Sequence, residues 1–124
     1  MARLALTVQN ILPSYPTTLP LVANSADFVW TASGADFADG ASFPLTGREI
    51  LLIRNDNIGA QTVTITSVKD KYGRTGDITA YSVGIGEYAV MPIFKTEGWK
   101  QTTGLIHIAA SVADVSFAVL RMPE

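Results

Sequence analysis

Five turn signals, "NDNIG", "YGRTGD", "VGIG", "KTEG" and "TTG", divide residues 48–104 into runs too short for ordinary helices. Gly, Asn and Asp supply the left-handed or side-chain-closed backbone that tight turns need. The runs between them carry strand chemistry. "EILLIR" (49–54) is apolar on both faces, as expected of a strand covered on two sides. "QTVTITSV" (61–68) alternates, with Val63 and Ile65 on one face and Thr62, Thr64 and Thr66 on the other. "ITAYSV" (78–83), "EYAVMPIF" (87–94), "WKQ" (99–101), "LIHIA" (105–109) and "DVSFAVLR" (114–121) continue the set. Pro92 has no N–H for a ladder, so its strand is expected to bulge or to lie at an edge. With "RLALTVQ" (3–9) and "DFVWT" (27–31) the count reaches eight or nine strands.

One segment carries two patterns. Leu105, Ile108, Val112, Val115 and Val119 also form a helical stripe, so residues 105–119 read as two strands or as one helix. The β-branched residues and the surrounding β pattern favour two strands. Many short antiparallel strands with glycine-rich turns predict an all-β, antiparallel, jelly-roll-like sandwich. Its core is expected over residues 47–124 of a single domain.

Residues 1–46 differ in kind. Pro13, Pro16, Pro20 and Pro44 stiffen them, and no lysine or arginine occurs between Arg3 and Arg48. Each proline fixes its own φ and pushes its predecessor to extended backbone, so "NILPSYPTTLPLV" is predicted to be an extended arm. Leu12, Tyr15, Leu19 and Leu21 cannot bury themselves within it. They must lie along the domain's own sheet or along another subunit. Tyr15, Phe28, Trp30, Phe37 and Phe43 are hard to bury together in so small a domain, which favours an interface or a sugar-stacking platform.

A chain of 124 residues hides roughly two-thirds of the surface that its unfolded form exposes, enough for a core without staples. It has no cysteine, which excludes disulfides, zinc thiolates and thiol nucleophiles. The net charge of −2 argues against nucleic acid as main ligand. No secretion signal is read in "MARLALTVQN", and no apolar run is long enough to span a membrane. At 48% hydrophobic and 16% charged, the chain is apolar for its size, which suggests surface covered by partners.

The candidate sites mostly read as turns or packing. "KDKYGRTGD" (69–77) holds Lys69, Lys71, Tyr72 and Arg74 and spaces Gly73 and Gly76 as G-x-x-G. Strands flank it, where a P-loop needs a following helix and a KH loop lies between helices. It therefore reads as a hairpin tip, with glycine at positive φ and aspartate capping the turn, whose Tyr72 and Arg74 can dock on a protein partner. His107, the only histidine, shares its face with Leu105 and Ala109 and lacks catalytic company. "GADFADG" (34–40) lacks the carboxylate density of a calcium loop, and "GIGEY" (84–88) lacks a dinucleotide fingerprint. No catalytic, cofactor-binding or metal residue is assigned.

The stretch from "LTGREILLIRNDN" through "AQTVTITSV", "YGRTGDI" and "EGW", with the ending "ADVSFAVLRMP", resembles small tailed-bacteriophage virion proteins of the capsid decoration (cement) kind. The resemblance spans about residues 45–123. It implies a β-sandwich seated on an assembled shell, often as trimers at local three-fold positions. The expectation is therefore a non-enzymatic protein made in the host cytoplasm and carried on the virion surface. Its partners would be the major capsid protein and copies of itself, with a trimer favoured. Leu12, Tyr15, Leu19, Phe28, Trp30, Tyr72 and Arg74 are the interface candidates. A carbohydrate- or receptor-binding module of a phage tail, working through Trp30 or Trp99, is the alternative, as is a head-completion or tail component.

Overall fold

The computed structural model describes residues 4–14, 20–34 and 39–123. Among these, ten strands follow in chain order: β1 (Leu4–Ala5), β2 (Val8–Asn10), β3 (Thr31–Ala32), β4 (Ala41–Pro44), β5 (Glu49–Asn55), β6 (Gln61–Thr66), β7 (Ile78–Val83), β8 (Tyr88–Val90), β9 (Leu105–Ala110) and β10 (Val115–Arg121). They make two mixed sheets. One runs β1–β4–β9–β6–β7; the other runs β2–β10–β5–β8, with β3 also paired to β10.

Both sheets turn one face into a single core. Phe43, Val63, Ile65, Ile106 and Ile108 from the first meet Leu51, Ile53, Val115, Phe117 and Val119 from the second. Each fully buried side chain of this kind contributes about 1.5–3 kcal/mol, so the packing of the two sheets is the main favourable term. The arrangement is all-β and sandwich-like, as the turn spacing predicts. Leu6, Ala41, Phe43 and Leu45 belong to this same core, so residues before position 47 help to build the domain.

The expectation of purely antiparallel pairing is corrected. β1 lies parallel to β4, and β2 parallel to β10. Parallel neighbours need a long crossover, and these partners are far enough apart in the chain to allow one. Residues 105–119 form two strands, not a helix. Ile106, Ile108 and Ala110 face the core from β9, and β10 follows after a turn. Two period-2 patterns joined at 111–114 had produced the helical spacing.

Three predicted strands are shorter than expected or missing. β8 stops two residues before Pro92, at the sheet edge, where a missing N–H costs least. Residues 27–31 join the ladder only from Thr31, and residues 99–101 follow the 97–99 turn outside any ladder, the Trp99 ring resting on Phe94 at 4.7 Å. β7 is a free edge interrupted by a bulge. The register shifts between Val63 and Ile65, Ala80 takes a φ of 51°, and its N–H donates to Thr64 Oγ1 at 3.0 Å. Such a bulge blunts an edge that carries no charge of its own.

The ladders sort the loops into two groups. Segments 56–60, 84–87 and 111–114 share one end of the sheets, and 45–48, 67–77 and 91–104 share the other.

Candidate protein interface

The outer face of the second sheet gathers the aromatics. Along β5 the odd positions point into the core, so Ile50, Leu52 and Arg54 point outward. The register sets Tyr88 opposite Arg54 and Val90 opposite Leu52 on that same face. Segment 28–32 crosses beside β10 and is held by a side-chain substitute for strand pairing. Val29 N–H donates to Gln9 Oε1 at 2.8 Å, and Gln9 Nε2 donates to Val29 C=O at 2.9 Å.

That clamp sets Trp30 over the Arg54 guanidinium, 4.9 Å from ring centroid to Cζ. Phe28 lies 5.6 Å from Trp30 on one side, and Tyr88 meets it edge-on at 5.8 Å on the other. Arg54 is fixed from below: its Nη2 donates to Asp56 Oδ2 at 3.0 Å, and its Nε lies 2.8 Å from Oδ1. Ser116 Oγ donates to the same carboxylate at 2.9 Å. The Arg54 hydrogen bond, reinforced by Ser116 against the cost of burial, holds the Asp56 carboxyl below its ordinary pKa. Arg54 is therefore a charged, oriented base on which the indole rests, a cation–π contact worth about 0.5–2 kcal/mol.

Around this cluster the surface is apolar and open. Val29 is 70% exposed, and Tyr88 and Val90 are each 67% exposed. Beside it lies a cavity of about 490 Å³ lined by Leu12, Pro13, Leu21, Phe28 and Leu120. The face thus brings together Leu12, Phe28 and Trp30 of the predicted interface residues. Tyr15 and Leu19 lie outside the described residues. Arg54, Tyr88 and Val90 were not singled out in the sequence, although period-2 spacing in "EYAV" puts Tyr88 and Val90 on one face.

Tyr72 and Arg74 sit elsewhere, on the β6–β7 loop at the other end of the molecule. Asp70 organises this loop. Its Oδ1 accepts from Tyr72 N–H at 2.8 Å and Arg74 N–H at 3.0 Å, and its Oδ2 accepts from Arg74 Nε at 2.9 Å. The Arg74 backbone N–H is the main reason why the Asp70 carboxyl titrates low. Gly73 makes the turn at a φ of 75°. Asp77 closes the base by accepting from Ser67 N–H and Oγ, and the Ser67 hydroxyl is the chief cause of its lowered pKa. The turn reading of this segment holds, with aspartate as the cap. It leaves the Tyr72 ring exposed between Lys71 Nζ at 5.2 Å and Arg74 Cζ at 5.0 Å.

His107 stands on β9 between Ser42 of β4 and Thr66 of β6, with Ile106 and Ile108 turned to the core. Among the described residues no three histidine, aspartate or glutamate side chains gather as a metal-binding group; Asp36 of the 34–40 loop lies outside them. No helix of the described residues is long and apolar enough to cross a membrane. Phe43 is a core residue, whereas Phe28 is exposed.

Fold and face together define an all-β protein whose most distinctive surface is an aromatic patch mounted on an ion pair. No family model matches the chain, and no curated protein and no solved structure matches it.

Proposed function

We propose that the chain is a non-enzymatic structural protein of a tailed-bacteriophage virion, which binds the assembled major capsid protein and reinforces the head. In this reading it is made in the host cytoplasm and acts on the capsid surface as a homo-oligomer, a trimer being favoured. The observation that carries the reading is the outer face of the second sheet. Trp30, Phe28, Val29, Tyr88 and Val90 expose a contiguous apolar patch with an arginine at its base, the composition that anchors protein–protein contacts. The resemblance of residues 45–123 to decoration proteins points the same way.

A jelly-roll assignment is supported by strand order. β3–β10–β5–β8 faces β4–β9–β6–β7 with every pairing antiparallel, and β1 and β2 are additions at the edges. Eight strands in two such sheets are common to viral capsid and lectin domains. On a shell, many copies each burying a modest patch bind far more tightly than one does alone, because the lattice fixes the geometry of successive contacts.

The test is co-sedimentation of purified protein with expanded, undecorated heads. Binding that saturates at a fixed ratio to capsid protein and is lost in Trp30→Ala is expected. Failure of the wild-type protein to sediment with heads, or a glycan array positive for a sugar lost in the same variant, would sink the proposal.

A further inference from the structure

Two free sheet edges lie on one side of the sandwich, β7 ending the first sheet and β8 the second. Between Asp77 and Lys95 the chain that forms them carries one charge, Glu87. The bulge at Ala80 guards β7. β8 has no such device. Its register with β5 is regular, and Tyr88, Ala89 and Val90 include neither a charge nor a proline. An unguarded edge of this kind is a template for another strand.

The register shows which main-chain groups are open. Asn55 N–H donates to Glu87 C=O at 3.1 Å, and Met91 N–H donates to Leu51 C=O at 2.9 Å. Residues 87, 89 and 91 therefore turn their N–H and C=O groups to β5, and those of Tyr88 and Val90 point away from the sheet. Pro92 falls on the same outward parity, where its missing N–H takes nothing from the ladder. The approach to β8 is fixed by Asn55, whose Nδ2 donates to Val83 C=O at 2.9 Å and Gly84 C=O at 3.1 Å. The edge is thus pre-organised, which lowers the ordering cost of covering it.

We infer that β8 pairs antiparallel with β8 of a second copy about a two-fold axis at Ala89, joining the second sheets of two molecules into one. The pattern of the segment identifies the occupant, because an isologous contact needs a surface symmetric about its axis. Exposed apolar residues lie at equal distances on either side of Ala89: Tyr88 and Val90 at one position, Ile85 and Ile93 at four. The axis sets Tyr88 against Val90 of the second copy, an aromatic opposite a β-branched residue, which is a favourable cross-strand pair. Their open N–H and C=O groups then exchange main-chain hydrogen bonds, and Ala89 meets its own copy at the closer, non-hydrogen-bonded spacing that suits a small side chain. Glu87 falls opposite Met91 of the second copy, so no like charges face one another. The four exposed side chains offer roughly 500 Å² in each copy, so the pair buries about 1,000 Å², the lower bound for a specific interface. The contact lies in the plane of the sheet and leaves the outer face with Trp30 open, so the inference does not rest on attachment to a capsid. Where copies also gather as trimers, the edge joins one trimer to the next.

The experiment is disulfide trapping in the full chain, which has no cysteine of its own. Ala89→Cys places one thiol on the axis, within disulfide reach of its copy, and Ser82→Cys on the exposed β7 edge controls for chance collision. Under mild oxidation Ala89→Cys should form a covalent dimer at least about tenfold faster than Ser82→Cys. Adding Val90→Pro, which deletes an outward N–H and leaves the β5 ladder whole, should abolish that advantage, whereas Val90→Thr, which keeps the N–H, should preserve it. Circular dichroism and melting curves matching the wild type establish that the variants are folded. Cross-linking of Ala89→Cys no faster than Ser82→Cys would overturn the inference, whatever the fate of the proline variant. Trapping that persists in a folded Val90→Pro protein would overturn it too, since side-chain contact alone would then hold the copies together.

Discussion

Replacing Glu49 by glutamine tests how a buried charge holds the sandwich together. Glu49 opens β5 directly opposite Arg121 of β10, and its side chain is fully enclosed. One carboxylate oxygen accepts from Thr46 N–H at 2.7 Å and Gly47 N–H at 3.2 Å; the other accepts from Thr46 Oγ1 at 2.6 Å and from Arg121 Nε. Burial alone would raise the carboxyl's pKa. The Thr46 hydroxyl and N–H, followed by Arg121, outweigh it and hold the value at about 2, against an ordinary 4.5.

The native state therefore binds its proton more weakly than the unfolded state does, and stability rises with pH between the two values. At about 1.36 kcal/mol for each unit, the carboxylate contributes roughly 3 kcal/mol, fully present above about pH 5 and lost as pH falls toward 2. Glu49→Gln keeps the shape and removes the titration. Urea unfolding followed by tryptophan fluorescence should show the variant weaker by roughly 3 kcal/mol at pH 7, a Tm loss on the order of 10 °C for a domain this size. At pH 2.5 the gap should shrink below about 1 kcal/mol, because the wild-type carboxyl is then largely protonated in the unfolded state and partly so in the native state. Asp56, Asp70 and Asp77 also titrate low, but they are common to both proteins and cancel from the difference. A gap equal at pH 7 and pH 2.5 would refute the electrostatic account and leave Glu49 as mere packing.

Three further outcomes follow from the geometry. Asn55→Ala removes the partner of three carbonyls and one N–H, so it should cost about 3 kcal/mol or more and speed amide exchange at Asn57; unchanged exchange there would contradict its role as the anchor of the 56–60 loop. Trp30→Ala should weaken attachment to heads at least about tenfold while lowering stability by only about 1–2 kcal/mol, because the ring lies outside the core. Gly73→Ala should cost about 1 kcal/mol from its φ of 75° alone, since an added Cβ meets nothing within 4 Å, whereas Gly76→Ala, which also meets nothing and is not at positive φ, should cost less. Equal melting points for the two glycine variants would argue against the strained turn.

Local chemistry was legible wherever it acts over a few residues. Threonine–valine alternation in β6, the glycine turn at Gly73 and the aspartate cap at Asp70 all read directly from spacing. Strand length was less legible. Residues 27–31 have strand-like composition, yet segment 28–30 is pinned by the Gln9 side chain and only Thr31 and Ala32 enter the ladder. Glu49 and Asn55 look like surface residues in the sequence. Apart from the neighbouring Thr46, their burial depends on Arg121, Val83 and Gly84, which no local window shows beside them.

By itself the sequence determined the β class, the turns and the inward sets of β6 and β9, because alternation and turn residues act through the backbone within a few positions. Only the tertiary structure decided that β1 and β2 run parallel to their partners and that Trp30 rests on Arg54 against Tyr88. Those outcomes depend on which distant strands lie side by side, and that is set by the packing of two whole sheets against one another.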